Sequence, residues 1–220
     1  QIYLSQAANL SWKAGPLQIA NIGKCEEVSP AVQKYEREAF GAWIDQDDDC
    51  QNTRHELLIS RSIKETKLRP DNCLVKSGQW FDPYSGDHIF AAIELDIDHL
   101  VPLKFAWVHG ASHWQTDKLV KFANDPENLI ITQKTYNRSK GSRGPLEWLP
   151  PLDVFRCEYI SKFSSIMSNY GLLFKLDEKE KIDNLIGSFC HWGWTYFSRS
   201  YAKYWTHYWG GYLTRLCANK

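Results

Sequence analysis

The 220-residue sequence lacks several features that would each define a class of protein. It has no net charge, since 26 basic residues balance 26 acidic ones, so its overall charge does not attract it to a polyanion. No apolar run reaches the roughly 20 residues that a membrane-spanning helix needs. It contains no internal repeat or low-complexity linker. We therefore expect a monomer with one folded domain and no membrane span.

The sequence also lacks a CxxC pair, which would indicate a zinc site or a redox motif. Its six cysteines are widely spaced, and there is only one methionine. The even count favours three disulfides and an oxidising compartment, so we expect a secreted or periplasmic protein. Free buried cysteines in a cytosolic protein are the alternative, and the spacing leaves the pairing open. The candidate residues are Cys25, Cys50, Cys73, Cys157, Cys190 and Cys217.

Apolar spacing and capping residues predict a mostly helical α+β fold. Turn residues between about 73 and 95 indicate short strands there. The predicted helices span about 30–44, 52–64, 132–140, 152–171 and 175–190, and the predicted strands span about 74–80 and 93–99.

Three residues between positions 95 and 140 carry groups suited to phosphodiester cleavage. Such a reaction needs a base that activates water, and positive charge on the phosphate and the leaving oxygen. Asp98 and Asn137 offer hard oxygen ligands of the kind that Mg²⁺ prefers, and His99 is the candidate base. His99 as a third ligand, as in a zinc site, is the alternative, but the neighbouring residues form a hard rather than a soft set.

Three ordered sequence motifs resemble one nuclease family. They are LDIDHLVPL (95–103), FANDPENL (122–129) and NRSKGSRGPLEWLPP (137–151). Together they closely resemble the secreted bacterial HNH endonuclease family, a branch of the ββα-metal nucleases, and weaker similarity extends the match to about 40–190. The resemblance implies an HNH-type nuclease domain over residues 1–190, with a ββα-metal core at about 74–150.

The resemblance also implies catalytic roles for individual residues. Asp98 and Asn137 would ligate one divalent metal ion, most simply Mg²⁺, with Mn²⁺ or Ca²⁺ as alternatives. His99 would be the general base, and Asn128 would hold the loop over that base. Lys140 would face the phosphate or the departing oxygen.

Further residues are expected around this centre. Arg138 and Arg143 follow Asn137 closely and are candidates for binding the substrate phosphates. Arg54 either braces the site or contacts a phosphate. Glu56 and Asp96 are candidates for structural or outer-shell roles, and Asp96 has the alternative of being a solvated edge residue.

An acidic turn precedes the motif region. Asp45, Asp47, Asp49 and Glu56 fall at positions 1, 3, 5 and 12 of a calcium-loop template, but Cys50 stands where that template normally has glycine. We expect an acidic, solvated turn, with a calcium site as the alternative.

The C-terminal residues 191–220 form an aromatic and basic segment with no Asp or Glu. Its aromatic residues recur at helical spacing, which favours packing on the nuclease domain. Stacking on unpaired bases, sugar binding and contact with a membrane interface are alternatives. The spaced residues are Tyr201, Tyr204, Trp205, Tyr208, Trp209 and Tyr212.

The sequence as a whole predicts a secreted, metal-dependent endonuclease of low sequence specificity. DNA is the preferred substrate, and RNA is an alternative. A non-catalytic effector that binds glycan or a partner through the aromatic C-terminal segment is a second hypothesis. A nuclease toxin neutralised by an immunity protein is a third.

Overall fold

The computed structural model describes residues 34–190, which form a mixed α+β fold of helices around two small antiparallel sheets. The strands are β1 (Lys67–Leu68), β2 (Val75–Phe81), β3 (His88–Ala91), β4 (Leu95–His99) and β5 (Leu129–Gln133). The helices are α1 (Thr53–Ser60), α2 (Leu103–Val108), α3 (Thr116–Asn124), α4 (Lys134–Lys140), α5 (Asp153–Asn169) and α6 (Leu176–Cys190). The aromatic C-terminal segment, Cys25 and Cys217 lie outside the described residues.

The two sheets differ in the regularity of their strand pairing. β1, β2 and β3 form one sheet in that order, with irregular register between neighbours. β4 and β5 form a regular two-stranded ladder in which Asp98 lies opposite Ile130, and His99 lies opposite Leu129. Because α4 starts at the residue after β5, this ladder fixes the position of the helix that carries Asn137 relative to β4.

Most predicted elements are confirmed, with somewhat different ends. The strands at 74–80 and 93–99 correspond to β2 and β4, and four of the five predicted helices correspond to α1, α4, α5 and α6. Five further elements were not predicted from the sequence: β1, β3, β5, α2 and α3.

The helix predicted over 30–44 is wrong for residues 34–44, which contain only a 3₁₀ turn at Arg37–Phe40. Gly41 ends that turn with φ 69°, a left-handed conformation that interrupts helical geometry. Phe40 packs between Trp107 and Phe122, with ring centroids 6.0 and 6.4 Å away, while Trp43 stacks on His99. The apolar residues of this stretch therefore pack at separate places on the fold and do not form one face of a helix.

Residues 34–52, which we call the leading segment, contain no α-helix or strand. Asn124 at the end of α3 holds the middle of this segment. Its Nδ2 donates to the carbonyl of Ala42 at 3.2 Å, and its Oδ1 accepts from the amide of Ile44 at 3.0 Å and the hydroxyl of Thr53 at 2.8 Å. These bonds fix Trp43, which lies between the two bonded residues.

Large aromatic side chains dominate the core. Trp80, Tyr84, Phe122 and Tyr159 are fully buried, and the Tyr84 ring lies 6.0 Å from that of Tyr159. Truncating a side chain of this size costs about 3–5 kcal/mol in typical cores. The core thus gives β4 and its neighbours a rigid support.

Two disulfides join the described helices to their surroundings. Cys50 pairs with Cys73, and Cys157 on α5 pairs with Cys190 at the end of α6. The sequence separations are 23 and 33 residues, for which loop closure predicts roughly 3–4 kcal/mol of stabilisation each. Within residues 34–190, no helix combines the length and apolar character needed to cross a membrane.

Candidate active site

Three of the residues predicted for the catalytic centre meet at one surface cleft of about 280 Å³. β4 contributes Asp98 and His99, and α4 contributes Asn137. The leading segment and α2 also line the cleft, through residues that include Tyr35, Arg37 and Lys104. Residues that are far apart in the sequence therefore share one site.

His99 is held in a single orientation at the end of β4. Its Nε2 lies 2.8 Å from the carbonyl oxygen of Ala123, and its ring stacks on Trp43 at 5.4 Å with planes 7° apart. A carbonyl oxygen only accepts hydrogen bonds, so Nε2 carries the proton and Nδ1 keeps its lone pair.

Burial also keeps this imidazole neutral. Desolvation lowers the pKa of His99 to about 3, the carbonyl of Ala123 opposes the shift, and the charges of Arg37 and Lys140 add to it. Part of the ring surface remains exposed, and the ring lines the cleft. The arrangement provides a neutral base that can accept a proton at Nδ1.

Asp98 belongs to a buried polar network below the cleft. The ammonium group of Lys140 donates to Asp98 Oδ1 at 3.0 Å, to Oδ2 at 2.7 Å and to the carbonyl of His99 at 2.7 Å. The hydroxyl of Tyr84 donates to Oδ2 at 2.6 Å. Burial raises the pKa of Asp98 and lowers the pKa of Lys140, while the pairing of the two groups opposes both shifts.

The predicted role of Lys140 in contacting phosphate is therefore wrong. Its side chain is fully buried, and its three N–H groups have the three acceptors described above. Lys140 instead fixes the carboxylate of Asp98 and the main chain of His99. It acts on the site through these two residues.

Asn137 is oriented by Asp96. The amide Nδ2 of Asn137 donates to Asp96 Oδ2 at 3.0 Å, so its Oδ1 is the oxygen left available, and within residues 34–190 no hydrogen bond reaches it. Among the described residues, Asp98 Oδ1 accepts only the bond from Lys140. Both side chains line the cleft, and two hard oxygens with free lone pairs fit a Mg²⁺ ion, which needs few protein ligands. The metal site and the outer-shell role of Asp96 remain predictions.

Asn128 is fully buried and secures the loop that follows His99. Its Oδ1 accepts from the amide of Val101 at 2.8 Å, its Nδ2 donates to the Val101 carbonyl at 3.3 Å, and its own carbonyl accepts from Leu100 at 2.8 Å. It does not line the cleft. Asn128 thus fixes the main chain at Val101, and its part in catalysis stays a prediction.

Arg54 has a structural position away from the cleft lining. Its Nη2 donates to the carbonyls of Ala92 and Leu95, at 3.2 and 3.0 Å. These bonds brace the turn that leads into β4. Of the two roles expected for Arg54, the structure favours bracing over phosphate contact.

Arg138 and Arg143 do not line the cleft either. Both are exposed, and Arg143 Nε donates to the carbonyl of Lys140 at 3.1 Å. Among residues 34–190, the cations that line the cleft are Arg37 and Lys104, which were not predicted from the sequence. No spacing signal in the sequence marks either residue. Arg37 falls in the helix that was wrongly predicted over 30–44, and Lys104 lies on α2, which was not predicted.

The acidic turn forms a separate cluster. Ligand atoms of Asp45, Asp47 and Asp49 lie within 4.8 Å of one another, and Cys50 takes the left-handed φ of 71° at the position where the template has glycine. The pKa of Glu56 is raised by burial and then by these carboxylates, which places Glu56 beside this turn, and it is not among the cleft residues. A calcium ion here stays a prediction.

Comparison with known proteins identifies the family. The chain belongs to the family of the C-terminal domain of GmrSD restriction endonucleases, whose model matches residues 43–182. It is also 37% identical, over 157 residues, to an uncharacterized secreted protein of Arthroderma benhamiae, an alignment that covers 70% of this chain and 75% of the relative. No solved structure matches.

These comparisons confirm the predicted relationship to nucleases. The relative is a fungal protein, so they add no support for the bacterial character of the family that the motifs resemble. Arg37 lies outside the residues matched by the family.

Proposed function

We propose that this protein is a secreted, metal-dependent endonuclease of the HNH type that hydrolyses phosphodiester bonds in DNA. The observation that supports this most is the cleft itself. It combines a neutral histidine whose basic Nδ1 is free with carboxylate and amide oxygens from Asp98 and Asn137. This site lies in a chain of a family named for restriction endonucleases.

In the proposed reaction, Nδ1 of His99 takes a proton from the attacking water. The carbonyl of Ala123 holds the opposite ring nitrogen, and Trp43 holds the ring plane. Both contacts restrict the ring to the orientation in which Nδ1 is the available base. As Nδ1 gains the proton, the Ala123 carbonyl stabilises the positive ring, because it already accepts from Nε2–H.

Asp98 and Asn137 would hold one divalent ion, which we expect to be Mg²⁺. When bound, such an ion supplies positive charge to the phosphate and the leaving oxygen. Lys140 and Tyr84 keep the carboxylate of Asp98 in place from below, and Asp96 turns the amide oxygen of Asn137 away from its own carboxylate. These positioning residues preorganise the two oxygens.

The proposed location and substrate follow from different observations. Two disulfides require oxidising conditions, and the fungal relative is described as secreted, which supports an extracellular protein. Low sequence specificity is expected because phosphate contacts carry no base information. The preference for DNA over RNA stays a prediction, and so does an immunity protein as partner of a nuclease toxin. The second hypothesis, a non-catalytic effector, differs from the proposal because such a protein would not cleave nucleic acid.

The test is nicking of supercoiled plasmid by the oxidised protein, with Mg²⁺ or with EDTA. We expect cleavage that needs the metal and falls by about two to four orders of magnitude in His99→Ala. His113→Ala is the matched control, because His113 is exposed and does not line the cleft. Absence of cleavage of both DNA and RNA under Mg²⁺, Mn²⁺ and Ca²⁺ would overturn the proposal.

A further inference from the structure

Within residues 34–190, two exposed cations line the cleft, Arg37 from the leading segment and Lys104 from the first turn of α2. No salt bridge in that range involves either side chain. Lys140, which lies near the same site, is already paired with Asp98. Arg37 and Lys104 therefore bring positive charge to the cleft that no ion pair among the described residues neutralises.

Arg37 lines the same cleft as His99, the proposed base. Its one hydrogen bond in the described part of the chain runs from Nη1 to the carbonyl of Gly41 at 3.4 Å, which is long and exposed. The remaining guanidinium N–H groups are free to donate to a ligand.

The main chain around Arg37 is well anchored although it is irregular. Tyr35 packs against Trp107 with ring centroids 6.0 Å apart, and Phe40 is fully buried. Arg37 lies between these two anchors. The side chain therefore starts from a fixed position, which lowers the entropy lost when it binds a ligand.

We propose that Arg37 binds a backbone phosphate of the substrate strand next to the scissile phosphate, with Lys104 as a second cation of the same cleft. This inference rests on the proposed function. A guanidinium matches the geometry of a phosphate and stays charged at every relevant pH, and an ammonium adds a point charge. Contacts of this kind position the strand without reading its bases, which agrees with low sequence specificity.

The alternative is that Arg37 only stabilises its own 3₁₀ turn through Gly41. The two roles differ in their salt dependence, because a phosphate contact releases counterions from the nucleic acid and an internal hydrogen bond does not. They also differ in kinetics. Loss of a substrate contact raises KM, whereas loosening of the turn changes protein stability.

The experiment compares three variants, Arg37→Gln, Arg37→Lys and Lys104→Gln, with the matched control Arg69→Gln. Arg69 is an exposed arginine between β1 and β2, and it does not line the cleft. Steady-state cleavage of duplex DNA is measured at several salt concentrations. Binding of the same DNA is measured separately with each substitution placed in His99→Ala protein. Thermal unfolding is followed for every variant.

For Arg37→Gln we expect KM and Kd to rise about ten-fold with kcat changed less than about three-fold. The slope of log Kd against log salt should fall by about one, with a smaller effect for Lys104→Gln. Arg37→Lys should recover part of the binding, and Arg69→Gln should behave as the wild type.

Two results would overturn this inference and leave the proposed function intact. One is wild-type KM, Kd and salt slope in Arg37→Gln while the unsubstituted protein cleaves DNA. The other is reduced activity in Arg37→Gln that follows a lower unfolding temperature, with an unchanged salt slope, since that pattern is structural. If the unsubstituted protein neither cleaves nor binds nucleic acid, the proposed function itself fails.

Discussion

The cleft is built from two regions that are organised in opposite ways. The unit β4–β5–α4 is regular, with a continuous ladder and a helix that follows it directly, and it carries Asp98, His99 and Asn137. The leading segment has no strand or α-helix and carries Trp43 and Arg37. In the proposed reaction, the regular unit would supply the reacting groups, and the irregular segment would orient one of them and present a cation to the substrate. A short motif can thus encode the chemistry while its setting depends on distant packing.

The largest expected effect concerns the regular unit. Lys140→Met should lower the free energy of unfolding by about 3–5 kcal/mol, because it leaves the Asp98 carboxylate buried without its cation. Equilibrium unfolding in urea measures this change. The double variant Asp98→Asn with Lys140→Met should lose less than the sum of the single variants.

An exposed ion pair gives the control. Lys179 pairs with Asp183 on α6, and both side chains are more than half exposed. Lys179→Met should change the free energy of unfolding by less than about 1 kcal/mol, since solvent screens such pairs. Equal losses for Lys140→Met and Lys179→Met would contradict the view that a buried pair supports the regular unit.

A smaller effect is expected in the leading segment. Trp43→Leu should lower kcat by about 10- to 100-fold with little change in KM, because the ring orients His99 and does not line the cleft. The matched control is Trp114→Leu, which removes a ring that packs against Phe122 and Tyr170. A wild-type kcat in Trp43→Leu would show that the regular unit orients His99 alone.

The smallest effect is expected for Asn124, which joins the two regions. Asn124→Ala removes the bonds to Ala42, Ile44 and Thr53, and we expect kcat/KM to fall only a few-fold because aromatic packing still holds the segment. Asn124→Asp keeps an acceptor and should fall less. A loss larger than that of Trp43→Leu would mean that these bonds hold the segment more strongly than its rings do.

The sequence predicted two of the three elements of the regular unit, β4 and α4, and missed β5. Asp98 and His99 are neighbours, Asn137 lies on a short helix whose end at Gly141 was predicted, and the structure gives that glycine a φ of 58°. Local signals of this type depend on residues within one element. They therefore predicted which side chains meet at the cleft, while their catalytic roles remain predictions.

The sequence was not sufficient for contacts made across the fold. A lysine in the last turn of a polar helix normally faces solvent, but Lys140 is buried and pairs with Asp98, 42 residues away. The proton position on His99 depends on Ala123, 24 residues away. Neither relationship leaves a periodic signal. The same holds for the contact of Trp43 with His99 and for the position of Arg37 in the cleft, since a helix was predicted over residues 34–44.

The most direct test of the account is chemical rescue of His99→Gly with imidazole. Since Nδ1 of His99 is the proposed base, His99→Gly should lose cleavage of DNA in Mg²⁺ by about two to four orders of magnitude, and added imidazole should restore part of it. Asn137→Ala should lose cleavage and gain nothing from imidazole, because it lacks a proposed metal ligand and not the base. Cleavage by His99→Gly at the wild-type rate, without imidazole, would contradict the central claim.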